Sequence, residues 1–155
     1  MIFRELQEQD INLIKKWLQA PHVAEWFKPL DSWMEEIEQR KTKYIFIRHF
    51  IIEDDNKNIG FCQYYDFSKG GETWNGSIPS DGSWSIDYLI GEPDYLGKGY
   101  GKSIVIRLTK DIFNFTDAQR IIVQPEPGNQ RSRNTLLSAG YRFDKANDIF
   151  IYEKQ

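Results

Sequence analysis

Apolar residues recur at helical spacing over residues 11–18, as Ile11, Ile14, Trp17 and Leu18, with polar residues between them. That spacing predicts an amphipathic helix with Asp10 as N-cap, ended by Pro21. The aromatic stretch 22–27, between Pro21 and Pro29, reads as one helical turn. Ser32-Trp33-Met34-Glu35 has the form of a capping box and predicts a helix reaching about Lys43. The period then changes. Residues 44–52 are β-rich, 54–57 read as a turn, and 59–67 as the returning strand of a hairpin. Further strands are expected at 2–6, 84–90, 120–123, 141–143 and 149–152, and helices at 102–115 and 129–139, the last closed by Gly140. Residues 68–83 carry four glycines and read as a long loop, a place where function often sits. Residues 84–123 have the order strand–helix–strand, so those two strands should be parallel neighbours. The fold class expected is α/β (α+β): a mixed, largely antiparallel sheet with helices on both faces, in a single domain spanning residues 1–155.

Composition narrows the function. The chain has 155 residues, 40% hydrophobic and 28% charged, which suits a globular domain rather than a disordered one. No run approaches 18 apolar residues, and no basic start followed by an apolar stretch opens the chain, so neither a membrane span nor a signal peptide is expected. A single cysteine, Cys62, excludes an internal disulfide and a cysteine-based zinc site, and no metal-ligand spacing is present. A cytoplasmic protein, monomer or homodimer, is expected. All five tryptophans (Trp17, Trp26, Trp33, Trp74, Trp84) precede residue 85. The net charge of −3 is divided unevenly: residues 1–90 carry 15 Asp+Glu against 10 Lys+Arg, and residues 91–155 carry 8 against 10. No positive face for nucleic acid is evident. A cationic ligand in front and an anionic one behind would suit the division; core-filling tryptophans and chance would also produce it.

The most informative stretch is Leu96-Gly97-Lys98-Gly99-Tyr100-Gly101-Lys102, between a strand and a helix. Glycines there let backbone N–H groups approach a ligand, and the helix adds its positive dipole end, which together suit a phosphate. A Walker A loop needs glycine where Leu96 stands, and the dinucleotide pattern G-x-G-x-x-G needs it at Lys102, so both readings fail. The stretch resembles the acetyl-CoA loop of the GNAT N-acetyltransferase superfamily, [Q/R]-x-x-G-x-[G/A]. Downstream, Asn129, Ser132, Leu136, Gly140 and Tyr141 occupy the places of that superfamily's Asn…Gly-[Phe/Tyr] element. Within it, His22 to Phe27, Ile59-Gly60-Phe61-Cys62-Gln63-Tyr64, Ser85-Ile86-Asp87 and the leucine at 96 resemble the aminoglycoside 6'-N-acetyltransferases.

The resemblance implies a GNAT-like sheet whose central parallel strands splay to admit acetyl-CoA, with no metal. Gly97, Gly99 and Gly101, with the amides of Lys98, Tyr100 and Lys102, would cradle the pyrophosphate. Leu89 lies on the strand whose backbone would polarise the thioester carbonyl. Asn129 would hold the pantetheine arm or fix the loop before its helix. Asp87, an aspartate inside a strand, is the implied general base toward the substrate amine, the structural alternative being a cap on a β-bulge. The superfamily's general-acid tyrosine is Leu136 here. Glu25, Trp26, Asp66, Glu72 and Trp74 are the substrate-side candidates, because amino sugars pair cations with apolar ring faces. The expected activity is acetyl transfer from acetyl-CoA to a primary amine of a small cationic substrate, foremost an aminoglycoside at its 6'-amine. The alternatives are acylation of a siderophore hydroxylamine or a polyamine, and a non-catalytic CoA- or drug-binding protein.

Overall fold

The computed structural model describes residues 1–155. Its elements are β1 (Ile2–Glu5), α1 (Ile11–Gln19), α2 (Pro21–Ala24), α3 (Leu30–Glu38), β2 (Ile47–Asp54), β3 (Lys57–Asp66), β4 (Ser83–Ile90), α4 (Tyr100–Phe115), β5 (Arg120–Val123), α5 (Gln130–Ser138), β6 (Arg142–Asp144) and β7 (Ile149–Glu153). Hydrogen-bonded strand order is β1-β2-β3-β4-β5-β7-β6. The pairs β1/β2, β5/β7 and β6/β7 are antiparallel, and β4/β5 is parallel, as the strand–helix–strand order requires. The mixed, mostly antiparallel α/β architecture expected from the sequence is the one observed. No helix is long and apolar enough to cross a membrane. The chain divides into two compact units, residues 1–63 with 87–100, and residues 64–86 with 101–155.

In the first unit, Leu6, Ile14, Trp17, Leu18, Val23, Met34, Ile37, Ile51, Phe61 and Leu89 form one buried cluster. Apolar spacing, rather than the capping box, sets the start of α3. Leu30, Trp33, Met34 and Ile37 stand at i, i+3, i+4 and i+7, and all four pack into or against the cluster. The helix therefore begins at Leu30, after the extended Pro29, leaving Ser32 inside the first turn. It ends at Glu38, and turns carry the chain to β2, which starts at Ile47 rather than at Tyr44. Asp55 and Asn56 close the β2–β3 hairpin at φ 49° and 64°. Two successive left-handed residues match the twist of paired strands. Asp10 sits at the N-cap position of α1 but spends its carboxylate elsewhere: it accepts from Arg4 Nη1 at 2.7 Å, Arg4 Nη2 at 2.8 Å and the Gln7 amide at 2.8 Å. The Arg4 guanidinium holds this carboxyl below its ordinary pKa.

In the second unit, α4 buries Ile104, Val105, Leu108, Thr109 and Ile112, one face of the helix. Thr109 Oγ1 shares a buried hydrogen bond of 2.7 Å with Tyr141 Oη. Arg133 of α5 lies over the rings of Phe143 and Phe150, 4.8 and 5.0 Å from their centroids. The loop before β4 is tied down by Arg120, whose Nη1 donates to Asp81 O at 2.8 Å and Ser83 Oγ at 3.0 Å. The parallel ladder covers two rungs, Ser83 with Arg120 and Trp84 with Ile121, while β5 continues to Val123.

Gly91 has no room for a side chain, since a Cβ there would fall within the ring of Trp17, itself 2% exposed. Gly91→Ala is expected to cost about 1–3 kcal/mol and to lower Tm by roughly 2–12 °C, as a thermal melt would measure. Asp10→Asn should cost about 1–2 kcal/mol at neutral pH, because Arg4 is part-exposed and keeps Glu53. The folded-state pKa of Asp10 lies below the ordinary 3.8, so its contribution is full above that value and is lost as pH falls through the folded value. The Tm gap between wild type and Asp10→Asn should therefore close in melts below pH 3.8.

Candidate functional site

β3 is buried at every position from Ile59 to Tyr65, so a polar side chain in this run must find partners inside the protein. Gln63, 1% exposed, is such a side chain. Its Nε2 donates to Asp87 Oδ2 of β4 at 2.9 Å and to Glu36 Oε1 of α3 at 3.5 Å. Its Oε1 lies 2.9 Å from Nδ1 of His49 on β2. Since Oε1 can only accept, His49 carries its proton on Nδ1. His49 is 5% exposed, stacks on Phe61 with centroids 6.0 Å apart, and has no partner for Nε2. Burial pushes its pKa down to about 4, so the ring is neutral at neutral pH. Two carboxylates from different elements thus meet on one amide nitrogen.

The end of β4 is irregular. The amides of Gly91 and Glu92 both donate to Ile59 O, at 2.8 and 3.2 Å, so two residues of one strand oppose one of the other. A Cβ on Gly60 would run into Leu89 O, which makes glycine obligatory at this close approach. Leu89 is buried and Asp87, two residues earlier, is half-buried. The bulge thus falls beyond Asp87, and the Asp87 carboxylate receives a side-chain amide.

The glycine loop is anchored at both ends within the first unit. Glu92 accepts from Trp17 Nε1 at 3.1 Å, and Tyr100 Oη donates to Asp54 Oδ2 at 2.6 Å, its ring edge-on to Tyr95. Between the anchors, Gly97 and Gly99 adopt φ of 72° and 83°, while Lys98 between them does not. Such alternation turns successive backbone N–H groups toward one concavity, an anion-binding arrangement. Nothing lies within 4 Å of a Cβ built on either glycine. Helix α4 follows at once and has no acidic side chain in its first turn, so its positive end has no carboxylate of its own there. The loop therefore fits a pyrophosphate. Gly101 differs from the other two: its backbone is helical, and a Cβ would meet Thr135 at an ordinary 3.6 Å. Lys98 and Lys102 are exposed.

The remaining sequence candidates have visible local roles. Asn129 is the N-cap of α5, its Oδ1 accepting from the Ser132 amide at 3.2 Å, which is the loop-fixing alternative. Leu136 is fully buried in α5. Asp66 caps a short turn by accepting from Ser68 N and Oγ at 3.0 and 2.7 Å. Trp74 donates to Glu72 at 2.9 Å and packs edge-on against Phe67 at 4.8 Å. Glu25 is exposed at the end of α2, and Trp26 beside it is half-buried. Glu25, Trp26 and Asp87 belong to the first unit, and Asp66, Glu72 and Trp74 to the second. Sequence reasoning did not single out Gln63, His49 or Glu36. A glutamine in an otherwise apolar seven-residue strand run was the available signal.

Comparison with known proteins gives a family. A model of the acetyltransferase (GNAT) domain matches residues 7–149. An aminoglycoside N(6')-acetyltransferase type 1 of Klebsiella pneumoniae is 24% identical over 144 residues, 89% of this chain and 72% of that protein. Among solved structures, aminoglycoside acetyltransferase AAC(6')-Ib in complex with coenzyme A and kanamycin superposes with a TM-score of 0.84 at 23% identity, covering 99% of this chain and 94% of the other. An aminoglycoside N(6')acetyltransferase from Legionella pneumophila superposes at 0.74 and 20% identity, covering 92% and 80%. The glycine loop, the parallel strand pair and the domain match together place this chain in the GNAT acetyltransferase family.

Proposed function

We propose that the protein transfers an acetyl group from acetyl-CoA to a primary amine of a small cationic substrate, foremost an aminoglycoside at its 6'-amine. The observation that carries the reading is the left-handed pair Gly97 and Gly99 at the mouth of α4, in the same unit as an Asp87 carboxylate held next to Glu36. The aminoglycoside acceptor is supported by the names of the relatives and by the acidic, tryptophan-bearing first 90 residues. We take residues 1–155 as one acetyltransferase domain, since the family match runs through both compact units. The cytoplasm is where we place it, in keeping with a lone, buried Cys62.

In this reading acetyl-CoA supplies an activated acetyl thioester. The loop amides of residues 97–102, ending in the first turn of α4, hold its pyrophosphate, with the exposed Lys98 and Lys102 adding positive charge. The β4 backbone around Leu89 positions the pantetheine arm, while Asn129 fixes the loop before α5. The substrate arrives as an ammonium ion. Asp87 first pairs with that cation and then takes its proton, freeing the nitrogen lone pair to attack. Glu36 adds a second negative charge beside it, which favours acceptors with several amines. Glu25 and Trp26 on the first unit, and Asp66, Glu72 and Trp74 on the second, are the groups whose chemistry suits a cationic, ring-bearing acceptor. With leucine at position 136, the leaving thiolate takes its proton from a group other than the family tyrosine.

Thiol release from acetyl-CoA should follow addition of kanamycin, and Asp87→Asn should lower kcat by about 10²–10⁴-fold, the range for loss of a general base, with acetyl-CoA affinity retained. Release with a hydroxylamine or polyamine but not kanamycin would select the first alternative; absence of release with every amine tested would select the non-catalytic one. The Gly97→Ala/Gly99→Ala double variant should bind acetyl-CoA at least tenfold more weakly by calorimetry, since each alanine is strained by roughly 1–2 kcal/mol in the left-handed region.

A further inference from the structure

Gln63 is a symmetric-looking group with two chemically opposite ends. Its nitrogen end faces two carboxylates and its oxygen end faces a ring N–H. Turning the amide over would set Oε1 against Asp87 and Glu36, acceptor against acceptor, and Nε2 against the Nδ1 proton of His49. What fixes the orientation from the inner side is His49. That ring is buried, and its other nitrogen makes no hydrogen bond. A leucine would fill the same space against Phe61 without an unpartnered ring nitrogen, but would leave the buried Gln63 Oε1 without its donor. The histidine is thus a costly choice for packing alone, and its Nδ1–H is the one polar service it performs in this network.

We infer that His49 and Gln63 are positioning residues for the reaction: His49 sets the orientation of the Gln63 amide, and that amide holds the Asp87 and Glu36 carboxylates side by side. This rests on Asp87 being the group that meets the substrate amine. Hydrogen-bond donation to a carboxylate favours its charged form, so loss of either positioning residue raises the proton affinity of Asp87. The charged and titratable groups around the network are Glu36 and Asp87 at Gln63, and Arg40, whose charge opposes protonation of His49.

The test uses the full chain. Carboxyl 13C NMR titration of Asp87 is compared in wild type, His49→Leu, His49→Asn and Gln63→Met, alongside kcat and KM with kanamycin and acetyl-CoA. Asparagine places an N–H near the position of Nδ1, so it is the conservative rescue. In His49→Leu and Gln63→Met the Asp87 pKa should rise by about one unit, a tenfold gain in proton affinity. The acid limb of kcat/KM should move up with it, with KM for acetyl-CoA unchanged and both shifts restored in His49→Asn. A role confined to packing would lower Tm and leave the Asp87 pKa and the pH limb in place. If His49→Leu does not fold, Gln63→Met and the 15N shifts of wild-type His49 decide: the Nδ1–H tautomer supports the inference, and the Nε2–H tautomer overturns it. Unchanged Asp87 titration in the variants, with Asp87→Asn inactive, overturns the inference alone. Full activity of Asp87→Asn overturns the catalytic reading and the inference with it.

Discussion

A glutamine buried in a strand that has no solvent-facing side must be satisfied at both ends of its amide. Gln63 meets that demand by drawing in one side chain from β2, one from β4 and one from α3. The rest of the first unit's architecture serves this requirement. The hairpin of Asp55 and Asn56 folds β2 back beside β3, where His49 reaches Gln63, and the obligatory Gly60 lets β4 come close enough to deliver Asp87. The apolar stripe of α3 that packs into the core sets Glu36 over the same amide. Each element is placed by ordinary hydrophobic packing, and the polar network then admits one arrangement of its members.

The glycine loop is a second case of local conformation working through distant anchors. Two left-handed glycines make a concavity of N–H groups only if the loop is held open. Trp17 holds one end through Glu92 and Asp54 holds the other through Tyr100. Both anchors are polar contacts from aromatic side chains, which combine large apolar burial with one directed donor. Gly91 belongs to the same device, since only glycine lets the chain pass the Trp17 ring on its way into the loop. The tryptophan concentration in the first half of the chain therefore has two sources. Trp17 is core and scaffold, whereas Trp26 and Trp74 are half-buried.

Charge division along the chain also changes meaning once the elements are placed. The mildly basic back half begins just before the glycine loop and includes Lys98 and Lys102 at the start of α4, where an anion is favoured by the helix itself. Arg120 and Arg133, by contrast, are spent on the protein's own groups, loop carbonyls and aromatic faces. In the acidic front half, Asp10 is spent on Arg4, and Asp54 on Tyr100, while Glu36 and Asp87 converge. Net charge thus counts many residues that the fold spends on its own contacts.

Element type and order were legible in the sequence, because hydrophobic period, glycine and proline are local signals. The helices at 11–19 and 100–115, the hairpin, the parallel strands and the phosphate-type loop all follow from residues near one another in the chain. Asp87 stood out for the same reason, as a charged residue inside a strand. At the start of α3 a capping pattern at Ser32 competes with an apolar stripe beginning at Leu30, and burial of the stripe outweighs one cap. The convergence of His49, Gln63, Glu36 and Asp87 could be seen only in the tertiary structure. Those four residues lie up to 51 positions apart on four elements, and what joins them is satisfaction of a buried amide, a three-dimensional condition with no sequence period.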